Sequence, residues 1–299
     1  MARSCGLGFF PAATVTWVLG QSGTPGNCPA EDNPAAFCDR RADELMTIAQ
    51  ILNGCLPHRI RPAELAATYY VRWSRGIVQG GPFRGLRYTD QAFYSALPPK
   101  IAGSYEKELH PYLERIRRLQ PDVLIDVGAA EGYYAVGALH AGWTDRVVAF
   151  ESSAEARTLL GRLAALNGID PRRLSVCGAC TTDNLDQALA AAIRPVIIMD
   201  IEGFEALVLD PLRVKHLARC HILVEYHDFV LPGLSEQLRQ RLAGTHDVEV
   251  IAQCARSLAD LPCSDPWFAW LPGAVKVRVL RENRPLRDHG WLWLAPRHL

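Results

Sequence analysis

The sequence predicts an α/β protein, a seven-stranded and mostly parallel sheet wrapped in helices, with a helical N-terminal extension in front of it. Three observations predict it. After Pro121, short apolar runs alternate with amphipathic helical stretches, which is the pattern of βαβ units. A turn of small residues, Gly128-Ala129-Ala130-Glu131-Gly132, follows the first of those runs directly. Ahead of Pro121 the apolar residues instead recur every three to four positions, the period of helices.

Taken in order, residues 1–34 mix Gly, Pro, Ser and Asn without a period and read as a loose tail. Residues 35–120 read as a helical segment able to act as a lid. Phe37, Ala42, Leu45, Ile48, Ile51 and Leu52 share one helical face, Pro57 breaks the pattern, and a second helix starts at Pro62. The run Gly80-Gly81-Pro82-Phe83-Arg84-Gly85 reads as a boundary by composition. A further helix is expected over 104–119, with Leu109, Leu113 and Ile116 inward and Glu114 paired to Arg118 at i, i+4. Residues 121–299 carry the sheet. Strands are expected at 123–127, 147–151, 174–177, 196–200, 221–226 and 248–252, with helices starting near Glu131, Ala154, Asn184, Phe204 and Leu234. The alternating run 274–280 reads as the closing strand, with no helix behind it.

The bulk numbers restrict the function. A chain of 299 residues with 49% hydrophobic and 21% charged residues supports one large globular core. Lys plus Arg equals Asp plus Glu at 32 each, so no global field draws the chain to nucleic acid or anionic lipid, and a small-molecule partner is expected. No secretory signal or spanning helix is expected. Nine scattered cysteines are not a disulfide framework, which points to the cytoplasm. Cys177 and Cys180 have metal-like spacing but no second pair, so they read as buried thiols at a strand end.

In an open α/β sheet, ligands bind beyond the carboxyl ends of the strands. Here the first strand ends in Asp126 and enters Gly128, Ala130 and Gly132, where small side chains admit a ligand to the backbone beside a helix start. The second ends in Glu151, a carboxylate placed to accept from ribose hydroxyls. Together they indicate a nucleoside ligand. A nicotinamide dinucleotide satisfies Glu151 equally well, but Ala130 stands where a dinucleotide fingerprint has its second glycine. This favours S-adenosylmethionine (SAM), which has no phosphate, and Asp126 suits a ligand carrying an ammonium group.

The segments IDVGAAEGYYAVG, VVAFESS, PVIIMDIEGFEALVL and ILVEYHDF resemble class I SAM-dependent methyltransferases, and among them the FkbM-type group, over roughly residues 100–280. The resemblance implies a Rossmann-like seven-stranded sheet with a reversed last hairpin, SAM as methyl donor, and an oxygen atom as frequent acceptor. It assigns the Gly128 turn to the methionine end of SAM, Glu151 to the ribose, the region of Cys180 to the adenine and Asp183 to its edge.

The richest chemistry follows the fourth and fifth strands: Asp200, Glu202 and Glu205, then Glu225, His227 and Asp228. Asp200, Glu225 and His227 are the candidate catalytic residues. His227 is suited to take a proton from an acceptor hydroxyl. Asp200 with Glu225 or His227 offers oxygen and imidazole ligands for a divalent metal, and Asp200 alone is placed to hold the amino group of SAM. Glu202 and Glu205 also read as first-turn helix acids, and Asp228 as solvated. Tyr105, Glu106 and His110 are candidates for the pocket mouth, while the dispersed Trp267, Trp270, Trp291 and Trp293 read as packing. The expected reaction is O-methylation of a small-molecule hydroxyl. Its rivals are an NAD-dependent oxidoreductase and a SAM-binding scaffold without chemistry.

Overall fold

The apolar runs after Pro121 pair side by side, because strands apolar at every position need cover on both faces. A computed structural model describes residues 56–57, 60–282 and 288–297; the expected tail and the first helix of the extension lie outside them. Strands β1 (Val123–Val127), β2 (Val147–Phe150), β3 (Leu174–Cys177), β4 (Pro195–Met199) and β5 (His221–His227) run parallel. With β6 (His246–Ile251) and β7 (His289–Pro296) they form one sheet in the order β3-β2-β1-β4-β5-β7-β6, in which β7 is antiparallel to both of its neighbours. The fold is thus the expected α/β Rossmann-like one, with seven strands and a reversed last strand. The order turns back between β1 and β4, which opens a crevice past their carboxyl ends.

Alternate strand residues serve two layers. Leu124, Ala149, Ile198, Leu223 and Trp291 face helices α1 (Pro62–Trp73), α2 (Leu97–Ala102), α3 (His110–Leu119), α4 (Tyr133–His140) and α5 (Ala154–Leu166). Ile125, Val148, Met199, Val224 and Leu292 face α6 (Thr182–Leu189), α7 (Glu205–Val208) and α8 (Leu234–Leu242). No helix among the described residues is long and apolar enough to cross a membrane.

The seventh strand is not where the sequence pattern puts it. Past α9 (Pro266–Trp270), the alternating run 274–280 forms α10 (Gly273–Lys276) and a 3-10 turn (Val277–Leu280), packed on α1 and tied to it by the Arg278–Glu64 ion pair at 2.5 Å. Its buried residues, Val275, Val279 and Leu280, also fit a helical face, so the period of two was ambiguous. The strand is His289–Pro296, whose Trp291, Leu292, Trp293 and Leu294 are all buried between β5 and β6.

Two further expectations change. The helix expected over 104–119 begins only at His110, after a 3-10 turn (Lys107–Leu109), because Glu106 takes a left-handed conformation at φ 48°. The presumed boundary at 80–85 is core: Phe83 is buried, with ring centroids 5.0 Å from Tyr133 and 4.9 Å from Trp143. Its loop is closed by the Val78 N–H donating to Leu86 O at 2.9 Å. Residues 46–299 form a single compact unit, so the second helix of the extension packs with the sheet.

Candidate functional site

A cleft of about 1120 Å³ lies over the carboxyl ends of β1, β2, β4 and β5. Its floor is the turn after β1. Gly128 has φ 84°, and a Cβ there would come within 1.8 Å of the Asp200 carbonyl oxygen, so β1 and β4 meet too closely for any side chain. The turn's amides are spent inside the protein. Gly128 and Ala129 donate to Phe150 O at 2.8 and 3.1 Å, and Gly132 donates to Ala129 O at 2.7 Å. Ala130, at φ 47°, donates to Glu151 Oε2 at 2.9 Å. Glu151 Oε1 accepts from Ser153 N at 2.7 Å. Ser152 Oγ also donates to Oε1, at 3.5 Å, so Oε2 keeps a lone pair for a ligand hydroxyl and Oε1 can exchange the long Ser152 bond for one.

Asp126, only 2% exposed, faces the same cleft from β1. Burial, with the Asp200 and Glu151 charges adding to it, pushes its pKa up to about 7, although a hydrogen bond from the Ala135 amide works the other way. Asp126 Oδ2 has no hydrogen-bond partner among the described residues.

Glu131, in the middle of the turn, carries a role that sequence reading missed. It is fully buried and ion-paired with the buried Lys100 of α2. It also accepts from Tyr88 Oη at 2.5 Å and from the Phe93 amide at 3.1 Å. The pairing with Lys100 and the bond from Tyr88 overcome the desolvation of Glu131 and hold its carboxyl below the usual range. One acid thereby fixes the turn to the segment whose Phe93, Tyr94 and Tyr105 wall the cleft. The signal available in advance was an acid inside a turn followed at once by an apolar helix, with no solvent face to place it on.

The opposite wall brings Asp200, Glu202, Glu205, Glu225 and His227 together, as the strand order requires. His227, 4% exposed, places Nδ1 3.1 Å from Glu205 Oε1. Its Nε2 lies 3.5 Å from Asp200 Oδ1, 3.4 Å from Glu202 Oε2 and 3.8 Å from Glu225 Oε2. Burial opposes its charge, but the Glu205 hydrogen bond and the Asp200, Glu205 and Glu202 charges outweigh that and raise its pKa above the ordinary value. Glu205 stands in the first turn of α7 as expected, but it is fully buried and also accepts from the Ile201 and Gly203 amides, both at 3.2 Å. Glu202 does not cap the helix; at φ 55° it turns back toward His227. Asp228 is not merely solvated either, since it accepts from Ser235 N at 2.8 Å and Ser235 Oγ at 2.5 Å at the start of α8. Among the described residues, Asp200, Glu202 and His227 form a metal-capable group whose ligand atoms all lie within 4.8 Å of one another. Glu202 thus takes the place expected of Glu225.

At the far end, Cys180 and Asp183 line the cleft as expected. Burial pushes the Cys180 thiol up to about 12, so it presents a neutral group to the cleft, and Cys177 and Cys180 are half-buried where buried thiols were expected. Asp183 is largely exposed and pairs with Arg213 at 3.4 Å. Of the expected mouth residues, Tyr105 lines the cleft, and Glu106 accepts from Tyr134 Oη behind it.

Comparison with known proteins gives distant structural likenesses alone. No family model matches, and no curated protein matches. Among solved structures, the chain is similar to an rRNA methylase from Streptococcus thermophilus, at 14% identity over 63% of this chain and 96% of that one, with a TM-score of 0.42. It is similar to an O-methyltransferase from Bacillus cereus in complex with SAH, at 10% identity over 85% and 99%, with a TM-score of 0.39. It is also similar to the B. subtilis tRNA methyltransferase TrmK, at 14% identity and a TM-score of 0.36, over 47% of this chain and only 59% of that one. At these scores the likeness carries no argument about activity.

Proposed function

We propose that the chain is a SAM-dependent methyltransferase acting on a hydroxyl of a small molecule. The observation that carries the reading is the turn itself: the amides of Gly128, Ala129, Ala130 and Gly132 are all bonded internally. A dinucleotide pyrophosphate needs such amides turned outward at a helix start. SAM makes no such demand, and it uses what the cleft does offer. Glu151 would take the ribose hydroxyls; Asp126 and Asp200 would take the ammonium group. The small residues Gly128, Ala130 and Gly132 leave room for the methionine end, and Cys180 and Asp183 border the adenine. The narrower FkbM-type reading is supported by the sequence segments alone.

When bound, SAM supplies an electrophilic methyl group whose sulfur keeps the bonding pair as the acceptor oxygen takes the methyl. The wall of Asp200, Glu225 and His227 then does two things. It orients the acceptor hydroxyl, and it receives the proton that the oxygen must lose. The carboxylates around His227 raise its pKa, which makes the neutral imidazole a stronger base. A divalent cation held on Asp200 and His227 is a separable addition, since the SAM reading stands without it.

A small acceptor is favoured over nucleic acid by the charges of the cleft. Its lining carries seven carboxylates, Asp126, Glu151, Asp183, Asp200, Glu202, Glu225 and Glu282, against two cations. Both cations are paired, Lys100 with Glu131 and Arg213 with Asp183. A polyphosphate backbone needs the reverse balance. Phe93, Tyr94 and Tyr105, from the segment before the sheet, cover the acceptor side. The described cysteines, Cys177, Cys180, Cys220, Cys254 and Cys263, are free thiols, which suits the cytoplasmic setting we propose.

Calorimetry with SAM, S-adenosylhomocysteine (SAH) and NAD tests the reading. SAM and SAH are expected to bind and NAD to give no heat. Binding of NAD without SAM would transfer the site to an oxidoreductase.

A further inference from the structure

We propose that Asp200, Glu202 and His227 form a divalent-cation site oriented from behind by Glu205. What the ion does for catalysis rests on the methyltransferase reading; that it binds does not.

The geometry of the imidazole carries the argument. A charge-assisted hydrogen bond to a carboxylate closes to about 2.7–2.9 Å. His227 Nε2 makes no such contact with any of the carboxylates in front of it: Glu202 stands at 3.4 Å, Asp200 at 3.5 Å and Glu225 at 3.8 Å. Nitrogen and oxygen atoms bound at about 2.0–2.2 Å to one ion stand about 3 Å apart on an octahedron and about 3.4 Å apart on a tetrahedron. The Nε2 spacings to Glu202 and Asp200 lie close to such edges, and the three ligand atoms lie within 4.8 Å of one another. Asp200 Oδ1, 3.5 Å from Nε2, is buried and has no hydrogen-bond partner among the described residues.

The other ring nitrogen supports the same assignment. Metal-bound histidines donate their second N–H to a carboxylate, which fixes the tautomer and aims the free lone pair at the ion. Glu205 Oε1 stands 3.1 Å from Nδ1 and is itself held by the Ile201 and Gly203 amides, so this outer carboxylate cannot swing away. Glu202 reaches the group only through a left-handed backbone at φ 55°, a conformation that costs a side-chain-bearing residue energy and recurs at ligand sites. Glu205 is thus a positioning residue, Asp200, Glu202 and His227 are ligands, and Glu225 at 3.8 Å stands next to the set.

One imidazole with carboxylates suits Mn²⁺ or a similar transition ion better than Ca²⁺, which prefers oxygen alone. At this place the ion would polarise an acceptor oxygen and ease loss of its proton, which would then pass to Glu225, since His227 and Asp200 would be occupied as ligands.

The test is titration of the metal-stripped full-length protein with Mn²⁺, free ion being followed by electron paramagnetic resonance without SAM. One ion per chain is expected. Affinity should be lost in His227→Gln and Asp200→Asn, fall at least tenfold in Glu202→Gln, and fall about 10–100-fold in Glu205→Gln. Glu151→Ala should leave it unchanged. Glu202 is 73% exposed, so its substitution keeps a folded protein in the series whatever becomes of the buried variants. No stoichiometric binding to the wild type would overturn the proposal, and so would binding that survives both Glu202→Gln and His227→Gln. SAH calorimetry on the same samples separates the two readings. SAH binding without Mn²⁺ sinks the cation site alone, and Mn²⁺ binding without SAH sinks the methyltransferase reading alone.

Discussion

The Ala130 amide donates to Glu151 Oε2 at 2.9 Å, which joins the end of β2 to the turn after β1. Glu151 is therefore the clasp of the turn and, on the reading we propose, also holds the ribose. Glu151→Ala removes two charge-assisted acceptors from the ligand and orphans the Ala130 amide, so SAH affinity should fall roughly 100-fold or more. Glu151→Gln, which keeps one carbonyl oxygen, should lose less. Calorimetry on the pair checks this, and equal losses would mean that the retained carbonyl oxygen serves neither the ligand nor the turn.

Asp126 gives that affinity a pH dependence. Its carboxyl is pushed up to about 7 in the ligand-free protein, and only the carboxylate attracts an ammonium group. SAH affinity should therefore hold above about pH 7 and fall about tenfold per unit as pH drops below it. Asp126→Asn should bind weakly at every pH, with that slope gone. A wild-type slope retained in the variant would assign the titration to another group.

The Lys100–Glu131 pair should be costly to break and cheap to remove whole. Glu131→Gln leaves an ammonium group buried, for a loss of about 3–5 kcal/mol in denaturant unfolding. Lys100→Met with Glu131→Gln should lose less than Glu131→Gln alone. Additive losses in this double-mutant cycle would contradict the coupling.

Three histidines govern acid stability. Burial is the largest influence on His110, His221 and His246, and it lowers the pKa of each below the ordinary 6.5. The unfolded chain then binds more protons than the folded one just below that value, so stability falls as pH falls through 6.5. Asp126 and His227 have the opposite sign, since the folded chain holds a proton on each above its ordinary value. Between pH 7.5 and 5, His246→Gln should therefore lose less thermal stability, or gain more, than the wild type does over the same range. An unchanged pH dependence in the variant would refute the assignment.

Gly128→Ala should remove ligand binding and at least about 3 kcal/mol of stability, since the new methyl would lie 1.8 Å from the Asp200 backbone oxygen. Thermal melts with and without SAH measure both effects.

By itself the sequence determined whatever is periodic or contiguous. Runs such as Val123–Val127 fixed the parallel strands, and the turn 128–132 with Glu151 pointed to the kind of ligand we propose, because neighbours along the chain carry that signal. It also placed Asp200, Glu225 and His227 at strand ends, where an open sheet gathers its chemistry. Only the tertiary structure decided which segment closes the sheet: 274–280 alternates while 289–296 carries a continuous apolar run, and the second alone finds buried partners on two sides. It likewise decided that Glu131 answers Lys100 and that Glu205 sits behind His227. Those pairings join residues 31 and 22 positions apart. Burial is what makes each acid seek its partner, and burial belongs to the packed chain, not to local pattern.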